Sequence, residues 1–146
     1  MNKVFLDTNV ILDCYLPDRP EREASNKIMT ISSDAECRLY FSVLSLANIS
    51  YILRKRFGKE AATERIKELF NNINVLPMSD MDVYYALRSD SPDFEDALQI
   101  SCADAKDCDC IITHNARHFK GYTPMPVFTP AEFLDGIRKA TSLLDD

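Results

Sequence analysis

Lys3-Val4-Phe5-Leu6-Asp7-Thr8-Asn9-Val10-Ile11-Leu12 is the stretch on which the fold of this 146-residue chain turns. A short apolar run is followed at once by three capping-type residues and then by a second apolar run. That is the pattern of a buried strand, a tight turn and the opening of a helix. The segment from Pro17 to Pro20 breaks that helix. A carboxylate placed directly after a buried strand carries a desolvation cost that only a metal or several hydrogen-bond donors relieve. Asp7 is therefore the first residue that needs an explanation.

Working outward, Glu21 to Ser33 has helical spacing, with Ala24, Ile28 and Ile31 on one face. Leu39-Tyr40-Phe41-Ser42 is a second short strand. Val43 to Phe57 reads as a helix closed by Arg54-Lys55-Arg56 and Gly58, cations in the last turn and a glycine beyond it. Lys59 to Phe70 is another helix, and Asn74-Val75-Leu76 a strand cut off by Pro77. Ser79-Asp80-Met81-Asp82 resembles a capping box with Asp for Glu, opening a helix to about Arg88. Asp93 caps a helix to Ala105, Asp109 to Thr113 is a strand, and Val127-Phe128 is a last short one. Thr129-Pro130-Ala131-Glu132 starts the final helix, with Asp145-Asp146 as a frayed tail. Short apolar strands separated by helices predict an α/β fold: three layers, α/β/α, around a parallel sheet of about four or five strands.

A hydrophobic fraction of 46% and a charged fraction of 27% exclude a disordered chain, and the length suits one domain spanning 1–146. A formal charge of −6 argues against broad capture of nucleic acid by a basic face and predicts weak non-specific binding. Five cysteines, an odd number, with no secretory apolar segment and no run long enough to span a membrane, point to free thiols in a reducing cytoplasm.

In open parallel α/β sheets, sites form at the carboxyl ends of the strands. The first strand ends in Asp7-Thr8-Asn9. The second ends in Ser42, with Ser45 and Asn48 on the first turns of the next helix, and the strand at Cys110 ends in Thr113-His114-Asn115. Asp93 and Asp96 are three residues apart, so they share a face at the start of their helix. Acids converging from distant parts of the chain form a hard oxygen site suited to Mg²⁺ or Mn²⁺, able to direct water onto a phosphodiester. Each acid alone reads equally well as structure: Asp7 as an N-cap, Asp93 and Asp96 as a cap and a first-turn dipole partner.

Other signals are weaker. Cys108-x-Cys110 with His114 and His118 imitates a zinc-ligand run, yet the strand alternation and spacing favour buried cysteines. Arg54-Lys55-Arg56 with Lys59 reads first as a solvated helix end. Arg117, His118 and Lys120, on the loop after Asn115, are better placed to meet a phosphate. Tyr15, Tyr84 and Tyr85 read as core or rim residues. No Ser-His-Asp arrangement, Walker loop or dinucleotide fingerprint is present.

Four blocks carry a family resemblance. Phe5 to Leu12 resembles the opening motif of PIN-domain proteins, the family of the VapC-like toxins. Asp93-Phe94-Glu95-Asp96-Ala97-Leu98-Gln99 resembles its central acidic motif, Ile111 to Phe119 its third block, and Pro126 to Leu134 its ending. The blocks fall in family order across nearly the whole chain. The resemblance implies a metal-dependent ribonuclease with Asp7 and Asp96 at its first and third acidic positions. It also implies an antitoxin protein partner and a homodimer, for either of which an apolar face on the early helices would serve. Two positions depart from the pattern: Asn48 stands where the family commonly has Glu, and Asn115 where it often has Asp. Two unit charges 4 Å apart interact by about 4 kcal/mol at an effective dielectric near 20, so two lost carboxylates predict weak metal binding, or one metal rather than two.

The expectation is then an endoribonuclease acting on RNA with Mg²⁺ or Mn²⁺. Asp7, Asp96 and Asp93 are the metal ligands, and Asn48 and Asn115 neutral ligands or water-orienting groups. Thr8, Asn9, Ser45, Thr113, Arg117, His118 and Lys120 make up the substrate side of the site. The rival is a PIN fold that binds RNA or protein without cutting. A receiver-like phosphoacceptor is a third reading, against which the lack of a clear Lys after a late strand counts.

Overall fold

The computed structural model describes residues 3–31 and 37–145. Its first strand, β1 (Lys3–Leu6), alternates its side chains between two cores. Val4 and Leu6 join one cluster and Phe5 the other, all fully buried. The helix α1 (Thr8–Tyr15) begins at once, without the expected turn, because Asp7 itself is the N-cap and accepts the Thr8 N–H at 2.9 Å. Helix α2 (Arg22–Ile31) follows; Ser32 and Ser33, also expected in it, lie outside the described residues. Then come β2 (Arg38–Ser42), α3 (Val43–Phe57), α4 (Lys59–Asn72) and β3 (Asn74–Leu76). The second half holds α5 (Asp80–Arg88), α6 (Phe94–Ala105), β4 (Cys110–Ile112), a 3-10 turn (Ala116–His118), β5 (Val127–Phe128) and α7 (Pro130–Asp145). Asp146 is outside the described residues, so the expected frayed tail is followed only to Asp145, the last residue of α7.

All five strands are parallel, in the order β3-β2-β1-β4-β5. The chain builds outward from β1 through β2 to β3, then crosses to the far side of β1 for β4 and β5. One face carries α1, α2, α3, α4 and α7 over Val4, Leu6, Leu39, Phe41, Cys110 and Ile112. The other carries α6 over Phe5, Tyr40 and Ile111, with α5 packed on α6. This is the three-layer α/β/α sheet expected from the sequence, with period-2 alternation sorting each strand between the layers.

Local signals explain most boundaries. Gly58, at φ 88°, ends α3 with its N–H on the Arg54 carbonyl and starts α4, a conformation that favours glycine. The Ser79–Asp82 capping box forms, and Asp82 Oδ1 also accepts the Ser101 hydroxyl at 2.7 Å, tying α5 to α6. Thr129 and Glu132 cap α7 reciprocally, and those bonds hold the Glu132 carboxyl below its usual pKa. Strand β4 is shorter than the expected span from Asp109 to Thr113: Asp109 accepts the Lys3 N–H through its side chain, and Thr113 turns into the site described next. No helix among the described residues is long and apolar enough to cross a membrane.

Candidate active site

The reversal of strand order between β1 and β4 opens a crevice at the carboxyl ends of those two parallel strands, where open α/β sheets bind ligands. Asp7 stands at the end of β1 and Thr113 at the end of β4, and the Thr113 hydroxyl donates to Asp7 Oδ2 at 2.8 Å. Asp7 Oδ1 accepts the Thr8 N–H and lies 3.5 Å from Gln99 Nε2. Only 6% of Asp7 is exposed. Burial pushes its carboxyl above the usual range; the bonds from Thr113 and Thr8 pull the other way, and the nearby Asp93 charge adds to the rise.

Beneath Asp7 lies a closed layer of polar side chains. Gln99 Nε2 donates to Ser45 Oγ at 2.7 Å and approaches Thr8 Oγ1 at 3.3 Å, while its Oε1 accepts the Ser42 hydroxyl at 2.6 Å. Thr8 and Ser45 hydroxyls are also 2.7 Å apart. Ser42, Ser45 and Thr113 are fully buried and Gln99 nearly so. The layer positions Asp7 from behind.

The opposite wall comes from α6 and the 3-10 turn. Asp93 caps α6, accepting the Asp96 N–H at 3.0 Å, so the carboxylates of Asp93 and Asp96 stand side by side. Asn115 Nδ2 donates to Asp96 Oδ2 at 3.1 Å, and His118 Nδ1 lies 3.1 Å from the same oxygen and 2.6 Å from Asn115 Nδ2. Burial, then the charges of Asp7 and Asp93, raise the Asp96 carboxyl to about 6, with His118 opposing. Asn48, on α3, donates to Glu95 Oε1 at 3.2 Å. Asp7, Thr8, Asn9, Asn48, Asp93, Glu95, Asp96, Gln99 and Asn115 line a cleft of about 430 Å³, with Tyr51 and Ile52 on its α3 side. A larger groove of about 910 Å³ lies between α5, α6 and the 121–124 loop. Of its acids Asp82, Asp90 and Asp104, Asp82 is taken by the α5 cap and Ser101; the acids at the carboxyl ends of the strands line the smaller cleft.

The fold therefore brings Asp7, Asp93, Asp96, Asn48 and Asn115 to one cleft. It does not bring every expected substrate contact there. Ser45 and Thr113 are sealed beneath Asp7 and brace it, which removes them from reach of a substrate. Thr8 is half-buried and belongs to the same layer. Asn9 lines the cleft with its Oδ1 accepting from Arg19 Nη2 at 3.1 Å. Arg117 and Lys120 are exposed and neither lines the cleft; the Lys120 charge is felt by Glu132 at the start of α7. Cys108 and Cys110 are buried in the two cores. Tyr15 packs half-buried on the core, and Tyr84 and Tyr85 are exposed on α5.

Two residues, Gln99 and Asp13, escaped the sequence reading, and Glu95, expected to supply some of the missing charge, stands at the cleft. Gln99 is three residues beyond Asp96, so helical spacing alone places it on the same face. Glu95 faces Asn48 across the cleft. Asp13, 2% exposed on α1, accepts from Ser25 Oγ at 2.7 Å, Arg19 Nε at 3.2 Å and pairs with His114 Nε2 at 2.5 Å. That network ties α1 to α2 and to the loop after β4, and no local sequence signal marks it.

One donor atom each from Asp93, Asp96 and His118 lies within 4.8 Å of the other two, a spacing that suits a cation. Asp7 is outside this compact group but its charge reaches Asp96. The carboxylates of Asp7, Asp93 and Asp96, with amide side chains beside them, form a donor set that fits a divalent ion.

The sequence pattern of the PIN domain family matches residues 3–117. Ribonuclease VapC1 of Aquifex aeolicus (strain VF5) is 30% identical over 139 residues, covering 91% of this chain and 94% of that protein. A toxin–antitoxin complex from Klebsiella pneumoniae superposes with a TM-score of 0.66 at 18% identity, over 87% of this chain and 97% of that one. VapC20 of Mycobacterium tuberculosis, described as a sarcin-ricin loop cleaving toxin, gives 0.58 at 16%, over 74% and 86%. These two structures share the fold.

Proposed function

The chain belongs to the PIN-domain family, and from that premise we propose that it is an endoribonuclease dependent on Mg²⁺ or Mn²⁺, the toxin of a toxin–antitoxin pair. One observation carries the reading: a buried aspartate at the β1/β4 crossover, braced from behind, faces two further aspartates across a cleft open to solvent. The curated relative is a ribonuclease and structural neighbours include toxin–antitoxin complexes, which supports RNA as substrate and an antitoxin as partner.

Asp96 and Asp93 would hold the ion, with Asp7 presented from the opposite wall. A divalent ion bound there supplies Lewis acidity toward the phosphodiester and acidifies the attacking water. The chain's own work is positional. Thr113, Thr8 and Gln99 fix Asp7 in one orientation, and Asn115 does the same for Asp96. Asn48 and Glu95 close the α3 side, where the Asn48 amide is turned toward the carboxylate. The homodimer reading is supported by apolar exposure on α5, where Met81, Val83, Tyr84, Tyr85 and Leu87 face solvent. Among the described residues α1 and α2 expose no comparable side chain, while Tyr51 on α3 and Phe70 on α4 are exposed.

A second reading, a binding module without cleavage, is favoured by the engagement of both amides: Asn48 with Glu95 and Asn115 with Asp96. RNA cleavage in Mn²⁺ and in Mg²⁺, parent against Asp7→Asn, separates the two. The enzyme loses cleavage in the variant, by roughly 10²-fold or more; identical traces mean the binding module.

A further inference from the structure

We infer that His118 is itself a ligand of the divalent ion, through Nδ1, and that this nitrogen makes the centre prefer Mn²⁺ to Mg²⁺. The inference rests on the reading of the cleft as a metal centre and names a donor that the carboxylates alone do not predict. Neighbouring ligands on an octahedral ion with bonds of about 2.1 Å stand about 3 Å apart. His118 Nδ1 and Asp96 Oδ2 are 3.1 Å apart, and Asp93 completes a group of three donors within 4.8 Å.

The backbone holds this spacing in place. The His118 N–H donates to the Asn115 carbonyl at 2.9 Å, and the next residue, Phe119, is fully buried as an anchor. The Ser91 hydroxyl lies 3.3 Å from the carbonyls of both Asp93 and His118, and the Asp93 N–H reaches back to it at 3.4 Å. One serine thus joins the segment carrying the acids to the turn carrying the imidazole. The imidazole is half-buried, with 31% of its side chain exposed, so it neither seals into the core nor swings free in solvent.

Chemistry then sets the preference. Positions 48 and 115 contribute amides in place of charged oxygen, and next to Asp93 and Asp96 the third donor of the compact group is a nitrogen. Mg²⁺ favours oxygen donors and water, whereas imidazole suits transition ions, and Mn²⁺ accepts both.

The test uses the whole protein, titrated with Mn²⁺ and with Mg²⁺ by calorimetry, with electron spin echo spectroscopy of the bound Mn²⁺. The parent should bind Mn²⁺ about tenfold or more tighter than Mg²⁺ and show ¹⁴N coupling. His118→Ala should lose that coupling and about tenfold in Mn²⁺ affinity while Mg²⁺ affinity barely moves. His114→Gln should keep the coupling, since His114 is the one other histidine and is paired with Asp13. His118→Asp should narrow the preference by strengthening Mg²⁺ binding. Mn²⁺ bound without nitrogen coupling, or an unchanged Mn²⁺/Mg²⁺ ratio in His118→Ala, overturns the inference and leaves the metal centre standing. Failure of both ions to bind the parent overturns the two together.

Discussion

Gln99 accepts from Ser42 and donates to Ser45, so Gln99→Leu would take one partner from each of two buried hydroxyls, which keep Thr8 and each other, and withdraw a donor from Asp7. A lost hydrogen bond costs about 0.5–1.5 kcal/mol net, and a loss of about 2 kcal/mol is expected in urea unfolding. Cleavage should fall with it, because Asp7 would lose part of its support. Asp96 gives a second expectation. Its carboxyl is pushed up to about 6 in the folded protein from the usual 3.8, so the folded state holds the proton more tightly. Without metal, stability therefore falls as pH rises from about 4 to 6 and stays down above 6. Asp96→Asn removes this penalty. It should melt above the parent at pH 7, with the gap closing toward pH 5, and added Mn²⁺ should raise the parent and not the variant. Asp7 was legible from the sequence because a carboxylate after a buried strand is a local oddity. Ser45 and Thr113 were misread because a hydroxyl at a strand or helix end gives no sign of the direction it faces. His118 was read as a phosphate contact for the same reason: the loop's composition was visible, its geometry was not.

The elements were more readable than the side-chain network joining them. Strands β1, β2 and β3 and the caps of α5 and α7 lie where the local pattern puts them, since apolar alternation and capping depend on residues close in sequence. The 3-10 turn at Ala116–His118 was not expected; it has no side-chain cap and depends on the buried anchor Phe119. The packing of α1 against α2 and the loop after β4 likewise depends on contacts distant in sequence. Asp13→Ala should cost about 3 kcal/mol, measured by chemical denaturation, because it strips the buried Ser25 hydroxyl, the His114 ring and the half-buried Arg19 of a common acceptor. A loss confined to a few tenths of a kcal/mol would mean that water replaces the carboxylate.

At the scale of the whole molecule, a net charge of −6 and an acidic cleft oppose a polyanion. Non-specific RNA should bind with a dissociation constant near 10⁻⁴ M, about the weak end of the usual range, and more tightly once Mn²⁺ is present. Fluorescence anisotropy with a single-stranded oligonucleotide, with and without the ion, measures both values; tight metal-free binding would contradict the charge argument. The three-layer class was legible because every strand is short, apolar and followed by a helix. The strand order was not, since nothing local says on which side of β1 the fourth strand inserts.

That order has a consequence for how the protein comes into being. Asp7 is synthesised 106 residues before its partner Thr113, and the opposing Asp93, Asp96 and His118 also follow it by a long stretch of chain. Until β4 slots in beside β1, the nascent chain carries an incomplete centre. A polypeptide that stops before that point lacks the hydroxyl that holds Asp7 in place, and with it the wall that faces Asp7 across the cleft.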